Sequence, residues 1–275
     1  MIKQSIKNIL KYGVLILWCF IVFFPLLTIF FGAFKTYEEF ITTSGLTLPH
    51  SFLNLENFKR AFIEGKMLIG FINTFILVAL SIIGSIMIGS MIAYVICRFD
   101  FKFKKTLLFL YLVVSIMPLE IAQVATFKLI YKMGIYNTIF APVIIYIGAD
   151  MVTLYIYMQA FEKLPKSLDK AARLEGASYF RIYTHIILPL LKPASATIAL
   201  LKLISVYNDF YIPYLYMPSS KLSTVSTALY RFVGPNQIHW QVVSAAILIS
   251  MLPMMLMFVF LQKYIYKGMT AGSVN

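Results

Sequence analysis

Histidine and cysteine are the side chains best suited to hold a metal or attack a carbon centre, and this chain spaces them for neither. His50, His185 and His239 are widely separated and lack the close spacing of metal ligands. Cys19 and Cys97 lie in or beside apolar runs, so neither a disulfide framework nor a thiolate site is expected. No convergent His, Asp or Cys set suggests a membrane-embedded enzyme, so no catalytic residue and no metal ligand is assigned. A phosphate-cradling Gly-x4-Gly-Lys-Ser/Thr loop occurs nowhere in the 275 residues. The remaining chemistry belongs to charges placed where charge is expensive: Glu120, Asp150 and Lys202 all fall within apolar runs. An ionisable group in such a run faces a polar cavity or finds a partner. Asp150 and Lys202 admit both readings, as a polar cavity wall or as an ion pair with each other. Glu120, two residues after Pro118, either lines a vestibule or satisfies backbone groups freed by the proline.

The elements that must position these groups are membrane spans. With 60% hydrophobic and 13% charged residues, the chain cannot present an ordinary water-soluble surface. Its net charge of +13 sits in loops between apolar runs, which points to anionic headgroups and topology and away from nucleic acid. The expected fold is all-α and polytopic, with six transmembrane helices at 12–34, 67–96, 106–127, 138–160, 194–207 and 242–262. The first is too long for a signal peptide and lacks a small-residue cleavage site. Pro118 breaks the third, and Leu188 to Leu191 extend the short fifth. Gly70, Gly84 and Gly89 allow close approach along the second, where Ser85-x-x-x-Gly89 makes a small-residue face.

Between the spans, 35–66 reads as a mixed loop. Within it 55–62 can form an amphipathic helix with Leu55, Phe58 and Phe62 on one face, either laid along the outer membrane surface or solvated within the loop. Lys128 and Lys132 fall in a short loop, 208–241 is a polar loop rich in Tyr, Pro and Ser, and 263–275 is a tail. Three segments result: 1–66 with the first span, a 67–262 core, and the tail. Fifteen Lys and Arg residues fall in the segments placed inside, against eight placed outside, so both termini are expected in the cytoplasm.

The longest basic interruption is 161–193, FEKLPKSLDKAARLEGASYFRIYTHIILPLLKP. A helix can start at Ser167 with its hydroxyl as cap and Asp169 near the positive dipole end. Lys170 occupies the position of a capping-box Glu, so that reciprocal cap is missing. Gly176 can end the helix in the left-handed conformation, and a second short helix follows from about Ser178. The expected product is a helix–Gly–helix knob projecting into water.

This stretch resembles the "EAA" loop of permeases from ATP-binding-cassette importers, where Glu-Ala-Ala, three residues, Gly, nine residues and an apolar-Leu-Pro ending follow in order. Here Lys170 replaces the Glu, Ala171, Ala172 and Gly176 match, Glu175 stands for the usual Asp, and Leu188-Pro189 close the pattern. Arg98-Phe99-Asp100-Phe101, Met117-Pro118-x-Glu120, Tyr207-Asn208-Asp209-Phe210 and the C-terminal Gly268-Met269-Thr270-Ala271-Gly272-Ser273-Val274 are similar to the maltose-type carbohydrate permeases. Tyr207 stands where that subfamily has Trp.

The resemblance implies a type I importer permease of a bacterial cytoplasmic membrane that moves a sugar or oligosaccharide by alternating access. It implies a homologous second permease, two ATPase subunits that bind ATP and Mg, and an extracellular solute-binding protein. No cofactor is expected on this chain. It assigns Lys170, Ala171, Ala172, Glu175, Gly176, Leu188 and Pro189 to ATPase coupling, with Ala172 against the ATPase groove. Glu120, Asp150, Lys202, Asn208 and Asp209 become candidates for the solute path, where sugar hydroxyls would meet them. Tyr207, Tyr211 and Tyr214 could stack on sugar rings, although Tyr is also the ordinary interfacial anchor. Glycerol phosphate or a polyol is the alternative solute. An ion-coupled secondary transporter is the rival mechanism, but no internal repeat of the kind it would use is evident.

Overall fold

The computed structural model describes residues 2–148, 150–232 and 239–270, and side chains for all of these but 2–7, 9, 119, 120, 260, 261 and 263–270. Every regular element among them is helical. In chain order they are α1 (Ile2–Phe34), α2 (Tyr37–Thr42), α3 (Glu56–Glu64), α4 (Met67–Arg98), α5 (Lys104–Ile116), α6 (Leu119–Lys132), α7 (Phe140–Ile147), α8 (Met151–Glu162), α9 (Ser167–Leu174) and α10 (Tyr179–Ile182). A wide π-turn over Tyr183–Ile187 leads to α11 (Leu188–Leu190), α12 (Lys192–Asn208), α13 (Tyr211–Tyr216), α14 (Val225–Leu229) and α15 (Trp240–Thr270).

Leu10–Phe34, Met67–Arg98 and Trp240–Val259 are each long and apolar enough to cross a membrane. Three bent helix pairs bring the possible spans to six. The breaks have local causes. Pro118 has no N–H to continue a helix and pushes Met117 into extended backbone, so α5 and the body of α6 turn by 108°. Gly148 ends α7 and Asp150, itself extended, starts α8, with a 48° bend. Between Leu190 and Lys192 the chain turns by 73°, so Leu188 to Leu191 do not extend the fifth span straight but form an elbow before it.

The chain divides into two compact units, one holding the N-terminal part through Leu68 with Thr227–Val259, the other Ile69–Ser226 with the end of the last helix. In the first unit α2 was not foreseen; its start carries a reciprocal cap, Thr36 accepting from Glu39 N and Glu39 Oε2 from Thr36 N. The packed face of α3 also differs from expectation. Leu55 and Phe62 are exposed, while Asn57 and Ala61 are buried. The carbonyls near the end of α1 need donors, and Asn57 Nδ2 supplies them to Ala33 at 2.9 Å and Lys35 at 2.7 Å. Lys35 is itself buried, with its ammonium donating to Thr43 Oγ1 and Ser44 O.

In the second unit α4 is the long packed rod. A Cβ on Gly84 would run into Ile147 and one on Gly89 would meet Thr153 at 2.6 Å, so the expected close approach along α4 has α7 and α8 as its partners. A core of Tyr94, Ile96, Tyr157, Ile182, Ile187 and Ile198 joins α4, α8, the 161–193 stretch and α12. Lys128 and Lys132 lie in α6 instead of a loop. The described residues of the 208–241 stretch, 208–232 and 239–241, are largely helical and buried at Ile212, Tyr216 and Val225 instead of forming a polar loop. In the first residues of the expected tail, α15 continues to Thr270; 271–275, part of the C-terminal motif, lie outside the described residues.

Candidate functional site

The 161–193 stretch is built around the end of α9. Lys166, in helical backbone, occupies the cap and makes no side-chain capping hydrogen bond, so the Ser167 hydroxyl does not cap the helix as expected. At the other end Gly176 has φ +85°, the left-handed turn that the sequence requires of it. Gly176 N donates to Arg173 O and Ala177 N reaches back to Ala172 O, both at 3.0 Å, which satisfies the last carbonyls in the paired Schellman pattern. Nothing lies within 4 Å of a Cβ built on Gly176. Conformation, not space, demands the glycine. Arg173 braces the turn by donating to Ala177 O at 3.0 Å and lying 4.5 Å over the Tyr179 ring. Ser178 then caps α10 by accepting from Arg181 N, as its position predicts.

This construction decides what faces outward. Lys170, Ala171, Glu175 and Gly176 are exposed, with Leu174 at 90% and Phe180 at 68% of full exposure. Ala172 is not among them. Only 8% exposed, it packs into the chain's own core beside Ile182, which corrects the expectation that it meets an ATPase groove. Residues 171 and 172 are a hundred degrees apart around the helix, enough for Ala171 to be exposed while Ala172 is buried. Pro189 is exposed and Leu188 half-buried. Lacking an N–H for the carbonyl of His185, Pro189 follows a turn in which Leu188 N bonds to Tyr183 O in the wide i to i+5 pattern.

Arg98, the last residue of α4, reaches this stretch, a contact that its place in the Arg-Phe-Asp-Phe motif does not reveal in the sequence. Its Nε lies 3.0 Å from Asp169 Oδ2, with the two side chains 6% and 15% exposed. The N–H does not point along that line, so the contact is an ion pair without a hydrogen bond. A second guanidinium nitrogen donates to Leu164 O at 3.1 Å, and the group sits 5.4 Å from the Phe161 ring.

The membrane polar residues form a second constellation. Asp150 Oδ2 is 2.9 Å from Lys202 Nζ, which also donates to Tyr146 O. Asp150 Oδ1 accepts from Val152 N and Thr153 N, and Oδ2 from the Thr153 hydroxyl, so the carboxylate caps α8 while it pairs with α12. Tyr146 OH donates to Asp209 Oδ2 at 2.8 Å, and Asp209 Oδ1 holds Tyr211 N and Ile212 N at the start of α13. Asn208 is exposed and its amide returns to Ile204 O. Glu120 stands in the first turn of α6, but its side chain lies outside the described residues. In front of Asp150 opens a cavity of about 350 Å³, lined among others by Ser85, Tyr111, Ile144 and Thr153. Ser85 Oγ is buried without a hydrogen-bond partner. Among the described residues no group of three or more His, Cys, Asp or Glu could hold a metal.

Residues 85–271, which contain both constellations, match the family of binding-protein-dependent transport system inner membrane components. The chain belongs to that family. It is therefore a transport subunit, a multi-pass membrane permease. The melibiose/raffinose/stachyose import permease MelC of Bacillus subtilis strain 168 is 32% identical over 81% of this permease and 82% of its own length. The trehalose/maltose transport permease MalG of Thermococcus litoralis is also 32% identical, over 99% of both chains. The arabinooligosaccharide permease AraQ of Halalkalibacterium halodurans is 29% identical over the same share. In structure, the permease matches a chain of a bacterial ABC transporter involved in alginate import with a TM-score of 0.82, over 95% of this chain and 97% of that one. At 18% identity that likeness concerns the fold, the type I importer permease expected from the loop and span pattern.

Proposed function

We propose that this permease carries a sugar or oligosaccharide inward across the membrane, driven by ATP hydrolysed on separate subunits. The observation that carries the reading is the outward face of the 161–193 stretch, where Leu174, Tyr179 and Phe180 stand exposed beside Lys170, Ala171 and Glu175 on a turn fixed by Gly176. An exposed apolar tip rimmed by charge has the composition of an interface. Three relatives that carry oligosaccharides by name, at 29–32% identity over most of the chain, support the choice of solute.

In this reading the tip docks into an ATPase groove, with Leu188 and Pro189 shaping the return into the membrane. Two ATPases bind ATP and Mg, a homologous second permease completes the pore, and a solute-binding protein delivers sugar from outside. Both termini are cytoplasmic, as the distribution of Lys and Arg favours. Glu120, Asp150, Lys202, Asn208 and Asp209 edge the solute path, and a cavity opens in front of Asp150. Alternating exposure of that path follows when closure of the ATPase pair tilts the spans.

The test is to purify the permease with its second permease, ATPases and binding protein in liposomes and to screen sugars for stimulated ATP hydrolysis and uptake. Stimulation by a sugar is expected. Solute transport by the lone chain without an ATPase would overturn the reading in favour of a secondary transporter. Stimulation by glycerol phosphate or a polyol and by no sugar would overturn the choice of solute.

A further inference from the structure

We infer that the Arg98–Asp169 ion pair is the fastener through which movement of the coupling helix α9 reaches α4, which makes Arg98 a positioning residue for transport. The inference rests on the ATP-driven import proposed above.

An eight-residue helix at the tip of a loop transmits force only through what it grips. Ala172 is the buried residue of α9, and a single methyl group makes few contacts, each of them weak, so it offers little hold against pulling or sliding. Arg98 supplies the hold. Its guanidinium reaches the first turn of α9 at Asp169, the carbonyl of Leu164 in the linker and the ring of Phe161 at the end of α8. Tyr94, one turn earlier on α4, faces the same carboxylate. Both charges are shielded, with 6% and 15% of their side chains exposed, and a shielded pair is costly to break from one side.

The other end of the grip is a lever. α4 runs 32 residues from Met67 to Arg98, about 48 Å at the helical rise. Ser90 on the same helix bonds Tyr183 of the π-turn at 2.7 Å. The loop thus holds α4 at two points eight residues apart, roughly 12 Å along its axis, and displacement of the loop turns or slides the rod as a unit. Further along, Ser85 and Gly89 of α4 line the cavity in front of Asp150. A pull at Arg98 therefore arrives at a wall of the proposed path.

The test uses the full complex in liposomes, with the second permease, the ATPases and the loaded binding protein. Asp169→Asn and Arg98→Gln are compared with the exchange Arg98→Asp plus Asp169→Arg. In both single variants the ATPases stay bound and stimulated hydrolysis continues. Solute moved per ATP falls about tenfold, the size of an ordinary coupling free energy between sites. The exchange recovers much of that ratio. Arg98→Lys, which keeps charge but loses the forked donor, falls between wild type and Arg98→Gln and serves if the Gln variant does not assemble.

An unchanged solute-to-ATP ratio in Asp169→Asn would overturn the inference. So would loss of ATPase binding together with hydrolysis, which would make the pair a local fold element, or an exchange no better than the single variants. A wild-type complex whose hydrolysis ignores solute would strike the import reading itself, and would be seen before any variant is made.

Discussion

Gly176 and Ala172 sit four residues apart and answer to different demands. Gly176 needs a positive φ and has open space around it, so a side chain there is penalised for conformation alone. Gly176→Val should cost roughly 1–2 kcal/mol or more in the turn, whereas Gly176→Asn, which tolerates the left-handed region, should cost less. The expected result is loss of ATPase co-purification and uptake with Val and partial retention with Asn. Ala172 is buried, so Ala172→Glu places a charge in the core and should lower the melting temperature of the permease itself. Ala171→Glu, on the exposed side, should leave melting unchanged and weaken ATPase binding. Melting curves and co-purification read the two separately; equal melting of both variants would contradict the inward placement of residue 172. The glycine was legible in the sequence because a helix end leaves few alternatives. The direction of Ala172 was not, because two adjacent alanines carry no mark of which one faces a core.

Elements show a different division between what a sequence displays and what it hides. Long apolar runs made α1, α4 and α15 visible, and Pro118 announced its break. The 208–241 stretch misled because Tyr, Pro and Ser read as a polar loop. Pro213 is tolerated in α13 because it falls in the first turn, where backbone N–H groups have no helical partner, and Asp209 holds two of those groups. Asp150 and Lys202 show the same reuse of polar groups: a charge inside a span both restarts a broken helix and ties it to α12. Asp150→Ala should leave the Lys202 charge without its counter-ion and destabilise the permease by about 3–5 kcal/mol, while Asp150→Leu with Lys202→Met should be far milder. Thermal unfolding in detergent measures this, and a double variant as unstable as the single one would contradict it. Uptake by a stable double variant would also show that neither charge is required by the solute.

For the molecule as a whole, surface composition is the dominant fact. Residues 10–25 of α1 are all exposed in the isolated chain and almost all apolar, which suits lipid or another membrane helix and no aqueous environment. Charge distribution sets which way such a chain threads. With Cys19 and Cys97 replaced by Ser, Lys163→Cys should react with an impermeant maleimide only from the cytoplasmic side and Ser220→Cys only from outside; the opposite pattern would invert the topology. At this scale the π-turn over Tyr183–Ile187 has a meaning of its own. It stores one residue of slack between the tip and α12. Drawn into the ordinary helical pattern, that slack would turn everything beyond Leu188 by about 100° and advance it by about 1.5 Å. Pro189 blocks the change, since its ring occupies the place of the missing hydrogen bond. The chain thus reaches α12 through a gear held one tooth out of mesh, and the proline is the pawl that fixes the phase of α12 relative to the tip.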